Sequence, residues 1–171
     1  MLQYCQPRRS GQGFTMVELI VVLVLVGILG AIGAARFFDR RDFDASSFSD
    51  QARSALRYAQ TVAIAQHRPV YAILDSTSVR LCFVAGATCV GSEVAAPFAV
   101  STGGPCTSSK WYCVRVPQGV SVSQVVSVAF DALGRPTDSA GNLLAASVTT
   151  SVSAGAMTVP ITLEAETGYV H

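Results

Sequence analysis

The stretch GFTMVELIVVLVLVGILGAIGAARFF, Gly13 to Phe38, contains one residue at odds with its neighbours. From Leu19 to Ala35 there is no charged side chain, yet Glu18 stands just before that run. An unpaired carboxylate in hydrocarbon costs several kcal/mol or is driven to neutrality, so Glu18 requires a partner. Residues 19–35, extended by Phe14, Met16 and Val17, give about 20 positions, enough to cross a bilayer as a helix. The preceding MLQYCQPRRSGQG holds Arg8 and Arg9 and no acid. Basic residues ahead of an apolar span predict a cytoplasmic N-terminus and an outward C-terminus. A secretory signal would have a shorter apolar core followed by a small-x-small cleavage site. No such break interrupts this run, and the span is expected to be retained.

GFTMVELIVVLVLVGILG resembles the N-terminus of type IV pilins and type II secretion pseudopilins. The pattern of that family is a glycine, a phenylalanine, and a glutamate at the fifth mature position. A prepilin peptidase of the inner membrane cuts after the glycine and methylates the new N-terminal phenylalanine. The resemblance implies that Gly13 ends a leader, that Phe14 becomes the first mature residue, and that Glu18 takes the fifth place. It also supplies a partner for Glu18. Within one helix the Phe14 amine lies four residues away, about one turn; in a filament the family implies the amine of a neighbouring subunit. Attraction is strong in a low dielectric but is offset by desolvation, so the pair acts chiefly to select register and partner. The partners implied are the prepilin peptidase, other pilin or pseudopilin subunits and an inner-membrane assembly platform. Gly27, Gly30 and Gly33 recur every three residues, a small-residue face on which helices can approach closely.

The chain has 171 residues, half of them apolar and 13 % charged, with a net charge of +1. That balance carries no nucleic-acid footprint. Beyond residue 13 there are ten Lys and Arg against eleven acids, and residues 137–171 contain no Lys or Arg. Arg80, Lys110, Trp111 and Arg115 are the grouping that a DNA-contacting head would draw on. Of the five cysteines, Cys5 stands alone, while Cys82/Cys89 and Cys106/Cys113 form two pairs, each spaced by seven. Zinc ligands usually lie two to four residues apart with histidine support, so two local disulfides in an oxidising compartment fit better. Three pairings of four cysteines exist; the local one closes two short hairpin-like loops.

RFFDRRDFDASSFSD, residues 36–50, mixes both charges with aromatics and offers Ser47, Ser49 and Asp50 as helix starts. Ala52, Leu56, Ala59 and Ala63, followed by Ala65 or Gln66, keep helical spacing up to Pro69, which predicts a helix from about Asp50 to His67. Arg53 and Arg57 are placed on its exposed side. His67 falls in the last turn, where a histidine meets terminal carbonyls. Strands are expected over 70–75, 78–85, 111–117, 120–123 and 125–130, then in SVTTSVSA and MTVPITLEAETGYV, with a tight turn over 131–136. Gly168 marks a turn or bulge. The fold class is α+β: a long N-terminal hydrophobic helix and a C-terminal antiparallel β-sheet head. Its segments are a leader (1–13), a membrane and filament-core helix (14–38), a linker and amphipathic helix (39–68) and a β-rich periplasmic head (69–171).

The stretches ALRYAQTVAIAQHRPV, FDALGRP and TLEAETGYV make the head similar to minor pseudopilins of the H/FimT type and to minor pilins of mannose-sensitive haemagglutinin pili. That resemblance implies a minor subunit of a haemagglutinin-type pilus, single-pass in the bacterial inner membrane before assembly. The alternatives are a minor pseudopilin of type II secretion and a DNA-uptake subunit. No zinc-protease motif, nucleophile elbow, phosphate loop or dinucleotide fingerprint occurs, so neither enzymatic activity nor a cofactor is expected. Asp131 beside Arg135 reads as a turn rather than a catalytic acid. Glu164 and Glu166 lack the ligand spacing of a calcium loop.

Overall fold

The computed structural model describes residues 14–36, 40–86, 89, 91–98 and 103–171. The leader, with Cys5, Arg8, Arg9 and Gly13, lies outside the described residues, as does the junction at 37–39. The chain divides into two compact units, residues 1–39 and 40–171.

In the first unit, helix α1 spans Met16–Arg36. Thr15 starts it: its Oγ1 accepts the Glu18 N–H at 3.2 Å, and its carbonyl accepts the Leu19 N–H at 3.2 Å. Threonine followed three residues later by glutamate is the capping-box pattern, and the threonine half of it is formed. Every side chain from Phe14 to Ala31 is exposed. A helix apolar on all sides is stable only where membrane or protein surrounds it.

In the second unit, helix α2 runs Arg40–Gln66. It begins ten residues before the expected start at Asp50. The buried stripe explains why: Ala45, Phe48 and Ser49 extend the spacing of Ala52, Ala55, Leu56, Ala59, Val62 and Ala63 upstream. Packing overrides the weak helix preference of the serines, and the Ser49 hydroxyl donates to the Ser46 carbonyl at 2.7 Å. Ala65 and Gln66 are exposed. Arg53 is half-buried rather than exposed, because its guanidinium reaches the Pro160 carbonyl at 2.7 Å. Arg57 stays exposed and donates to the Val170 carbonyl at 2.8 Å.

Among the described residues eight strands follow: β1 (Val70–Leu74), β2 (Ser78–Cys82), β3 (Cys113–Arg115), β4 (Ser121–Val122), β5 (Val126–Phe130), β6 (Pro136–Thr137), β7 (Val148–Ala154) and β8 (Met157–Leu163). They form two antiparallel sheets, ordered β3-β2-β1-β5-β6 and β4-β7-β8. α2 packs against strands of both. Alternation sends Val70, Ala72, Leu74, Val79 and Leu81 to the main core with α2. Ile73, Cys82 and Cys89 form a second buried cluster with Tyr71 beside it. The α+β architecture expected from the sequence is therefore present. β6 was not anticipated, and the strand expected over 78–85 ends at Cys82.

Gln60 ties three separate stretches together. Its Nε2 donates to the carbonyls of Gly134 (2.8 Å) and Thr167 (2.9 Å), joining α2 to the 131–135 turn and the C-terminal segment. Gly168 fits here with φ 68°, where a Cβ would stand 2.7 Å from that same nitrogen. The end of α2 is a Schellman motif: Arg68 N–H bonds the Ala63 carbonyl at 3.3 Å and His67 N–H the Ile64 carbonyl at 3.4 Å. His67 therefore occupies the left-handed position, φ 50°, which favours glycine. His67→Gly is expected to raise head stability by about 0.5–1 kcal/mol in denaturant melts, and His67→Val to lower it by about 1 kcal/mol or more. Equal stabilities for the three chains would contradict the assignment.

Candidate functional site

Sequence reasoning placed the functional chemistry at the start of α1. Phe14 is 78 % exposed. Glu18 is the third residue of α1 and is also exposed. The Glu18 N–H is taken by the Thr15 hydroxyl, and its carboxylate makes no hydrogen bond or ion pair among the described residues. The acid thus sits at the positive end of the helix dipole with its oxygens open. Among the described residues a Cβ at Gly27 or Gly30 would meet nothing within 4 Å.

In the head, disulfides join Cys82 to Cys89 and Cys106 to Cys113, each with Cα atoms 5.4 Å apart. Both lie in or beside the long excursion that leaves β2 and returns as β3. Bridges Cys82↔Glu93 and Ala95↔Trp111 order its two limbs. Tyr112 pins it to α2, stacking on Tyr58 at 5.2 Å between ring centroids, while the Tyr58 hydroxyl donates to the Ala95 carbonyl at 3.1 Å. Burial, with Tyr58 adding to it, raises the Tyr112 phenol above its ordinary range.

The side chains considered for DNA contact do not all line one pocket. Arg80 is ion-paired with Asp75 at 2.5 Å and shares a small pocket of about 150 Å³ with Trp111 and Glu93. Arg115 lines a larger groove of about 1010 Å³ along α2, and Lys110 lines neither. His67 caps a helix, and His171 bonds Glu164 at 3.1 Å. Among the described residues no group of three metal-ligating side chains occurs.

Asp131 organises a turn. Its Oδ1 accepts the N–H groups of Leu133 and Arg135 at 2.9 Å each, and its Oδ2 accepts Arg135 Nε at 2.9 Å. Seven residues on, Asp138 repeats the device. Its Oδ1 accepts from Ala140 and Asn142 N–H at 2.9 Å each, and its Oδ2 from Asn142 Nδ2 at 3.0 Å. The shared pattern, D-x-x-G followed by a side-chain donor, was legible as DALGR and DSAGN. Asp75 does similar work before β2, accepting from Thr77 N–H at 2.7 Å, Thr77 Oγ1 at 2.6 Å and Ser78 N–H at 2.8 Å. Partial burial opposes its charge, but the bonds from Thr77 and Ser78 and the Arg80 guanidinium hold its carboxyl below the usual range.

Residues 8–34 match the family model described as the prokaryotic N-terminal methylation motif. The chain is similar to the type IV narrow pilus major component PilA5 of Thermus thermophilus, 37 % identical over 59 residues. That match covers 34 % of this chain and 51 % of the relative, so the chain spans about half the length of the curated relative it matches. No solved structure matches. By this motif and this match the chain is similar to type IV pilins. The motif implies a pilus-associated, membrane-anchored protein. Over the described residues, no helix is long and apolar enough to cross a membrane; the side chains of α1 are described as far as Ala31.

The Asp75 turn yields a pH prediction. A carboxyl held below its unfolded pKa of ~3.9 stabilises the fold fully above that value and ceases to do so as pH falls through the folded pKa. Asp75→Asn is expected to cost roughly 1–2 kcal/mol at pH 7, with the deficit shrinking below about pH 4 in chemical denaturation. A deficit independent of pH would contradict the charged role.

Proposed function

We propose that this chain is a non-enzymatic subunit of a type IV pilus, and within that class a minor subunit of a haemagglutinin-type pilus. It would be made as an inner-membrane precursor with a periplasmic head, cut by a prepilin peptidase after Gly13, methylated at Phe14 and inserted into a filament by the assembly platform. The carrying observation is Glu18, an open carboxylate in the first turn of a helix whose described side chains are all exposed. At 1.5 Å per residue the 21 residues of α1 extend about 31 Å, close to the ~30 Å of a hydrocarbon core. Membrane would surround it before assembly and neighbouring helices afterwards. Removal of residues 1–13 would free the Phe14 amine to meet the Glu18 of a neighbour.

The minor-subunit reading rests on the low-charge head and on the resemblance of three stretches to minor pseudopilins and minor pilins; the curated relative that the chain matches is named a major pilus component. The three stretches meet around Gln60, so they report a common packing of the head rather than a ligand site. The two disulfides suit an oxidising compartment outside the cytoplasm.

The test is Glu18→Ala and Glu18→Gln, expressed with the native assembly machinery. Both variants are expected at wild-type levels in the membrane and depleted about tenfold or more from sheared filaments, since breaking a buried ion pair costs about 3–5 kcal/mol. Normal incorporation of either variant would remove the proposed role.

A further inference from the structure

The stretch RFFDRRDF, residues 36–43, joins the apolar run to the head and takes no part in the assembly role of Glu18. Its last residue, Phe43, lies in the first turn of α2 and is 74 % exposed, off the buried stripe that begins at Ala45. The tip of the β7–β8 hairpin lies at the same end of the head. Ala154 pairs with Met157, leaving Gly155 and Ala156 as a two-residue turn. A Cβ added at Gly155 would stand 3.5 Å from Asp42 Oδ1. Gly155 and Ala156 are exposed, and no charged residue occurs from Ser139 to Leu163. This end of the head thus presents a phenylalanine ring and a small, uncharged hairpin tip, contributed by stretches far apart in the chain.

Chain length limits what this end can meet. α1 ends at Arg36 and α2 begins at Arg40. Four extended steps and three helical ones keep the Phe43 Cα within about 20 Å of the Arg36 Cα, however the two units are arranged. The inference rests on the reading of α1 as a membrane helix before assembly. The end of the head that carries Phe43 is then held beside the leaflet from which α1 emerges. Three arginines and three aspartates interleave over residues 36–44, a net charge of zero that matches the paired charges of a zwitterionic headgroup. Apolar rings set among such charges suit the boundary between headgroups and acyl chains.

We propose that this end of the head is a foot that rests on the zwitterionic phospholipid surface before assembly. The Phe43 ring enters the boundary between headgroups and acyl chains, and the Gly155–Ala156 tip lies against the headgroups. Glycine and alanine bring the hairpin backbone close to the surface with no charge to desolvate. The foot holds the head in one orientation, and the subunit releases it on leaving the membrane. Leu133, 72 % exposed, gives the comparison: its turn is bonded to Gln60, about 26 Å along α2 from Phe43.

The test uses the chain from Phe14 to His171 in nanodiscs of phosphatidylethanolamine and phosphatidylcholine. Nitroxide lipids are added, labelled at the headgroup or near the end of an acyl chain, and amide line broadening is read by NMR. The headgroup label is expected to broaden Phe43 and Ala156 about fivefold more than Leu133. The tail-end label is expected to broaden Val24, which reports on the span alone. Phe43→Ser is expected to cut the broadening at Ala156 about twofold or more, since a tether alone does not hold the hairpin tip down. Broadened Val24 with sharp Phe43 and Ala156 would overturn the foot and leave the span standing. Unaffected Val24 would overturn both. Equal broadening at Leu133 and Ala156, or no change at Ala156 in Phe43→Ser, would each overturn the foot.

Discussion

Strands of both sheets of the head pack against one helix, and the face that α2 offers them is made largely of alanine. Ala45, Ala52, Ala55, Ala59 and Ala63 are fully buried. Small side chains bring sheet and helix backbones close together, while Phe48, Leu56 and Val62 fill the spaces between. The rest of the head is arranged by that closeness. Added bulk at an alanine would overpack the core at a cost of about 1–3 kcal/mol. It would also move the Gln60 amide, whose two bonds hold the 131–135 turn and the C-terminal segment against the helix.

The two units answer opposite demands. The head has a core of its own, although Phe43, Phe98, Val125 and Leu133 stay exposed; three of its turns are organised by aspartates, and its long excursion is bound by two disulfides. α1 does the reverse, presenting apolar side chains in every direction along its described length. Under the proposed function such a chain would meet two environments in turn, lipid and then a bundle of like helices. Glu18 would then add selectivity, since a carboxylate in such surroundings accepts few partners.

Much of this was legible beforehand. GFTMVEL followed by the uncharged run fixed the helix and the place of Glu18, because hydrophobic length and a single acid are both local signals. The strands and the turn at Asp131 were readable from alternation and from Gly134 and Pro136. The start of α2 was not. Its upstream serines favour caps and turns in isolation, and only burial against the sheets shows that Ala45, Phe48 and Ser49 belong to the helix. The T-x-x-E cap at Thr15 and the twin aspartate turns were present as patterns but were obscured by the larger motif and by the reading of Asp131 alone. The groove beside β3 could not be seen in sequence at all, since it depends on residues of α2 and of β3 meeting from opposite ends of the fold.

The most direct measurement is the intact mass and N-terminal peptide mass of the protein taken from its native membrane. A chain that begins at methylated Phe14, with four cysteines oxidised, is the predicted result. A stable chain that still carries residues 1–13 would leave the Phe14 amine blocked and contradict a filament role built on Glu18.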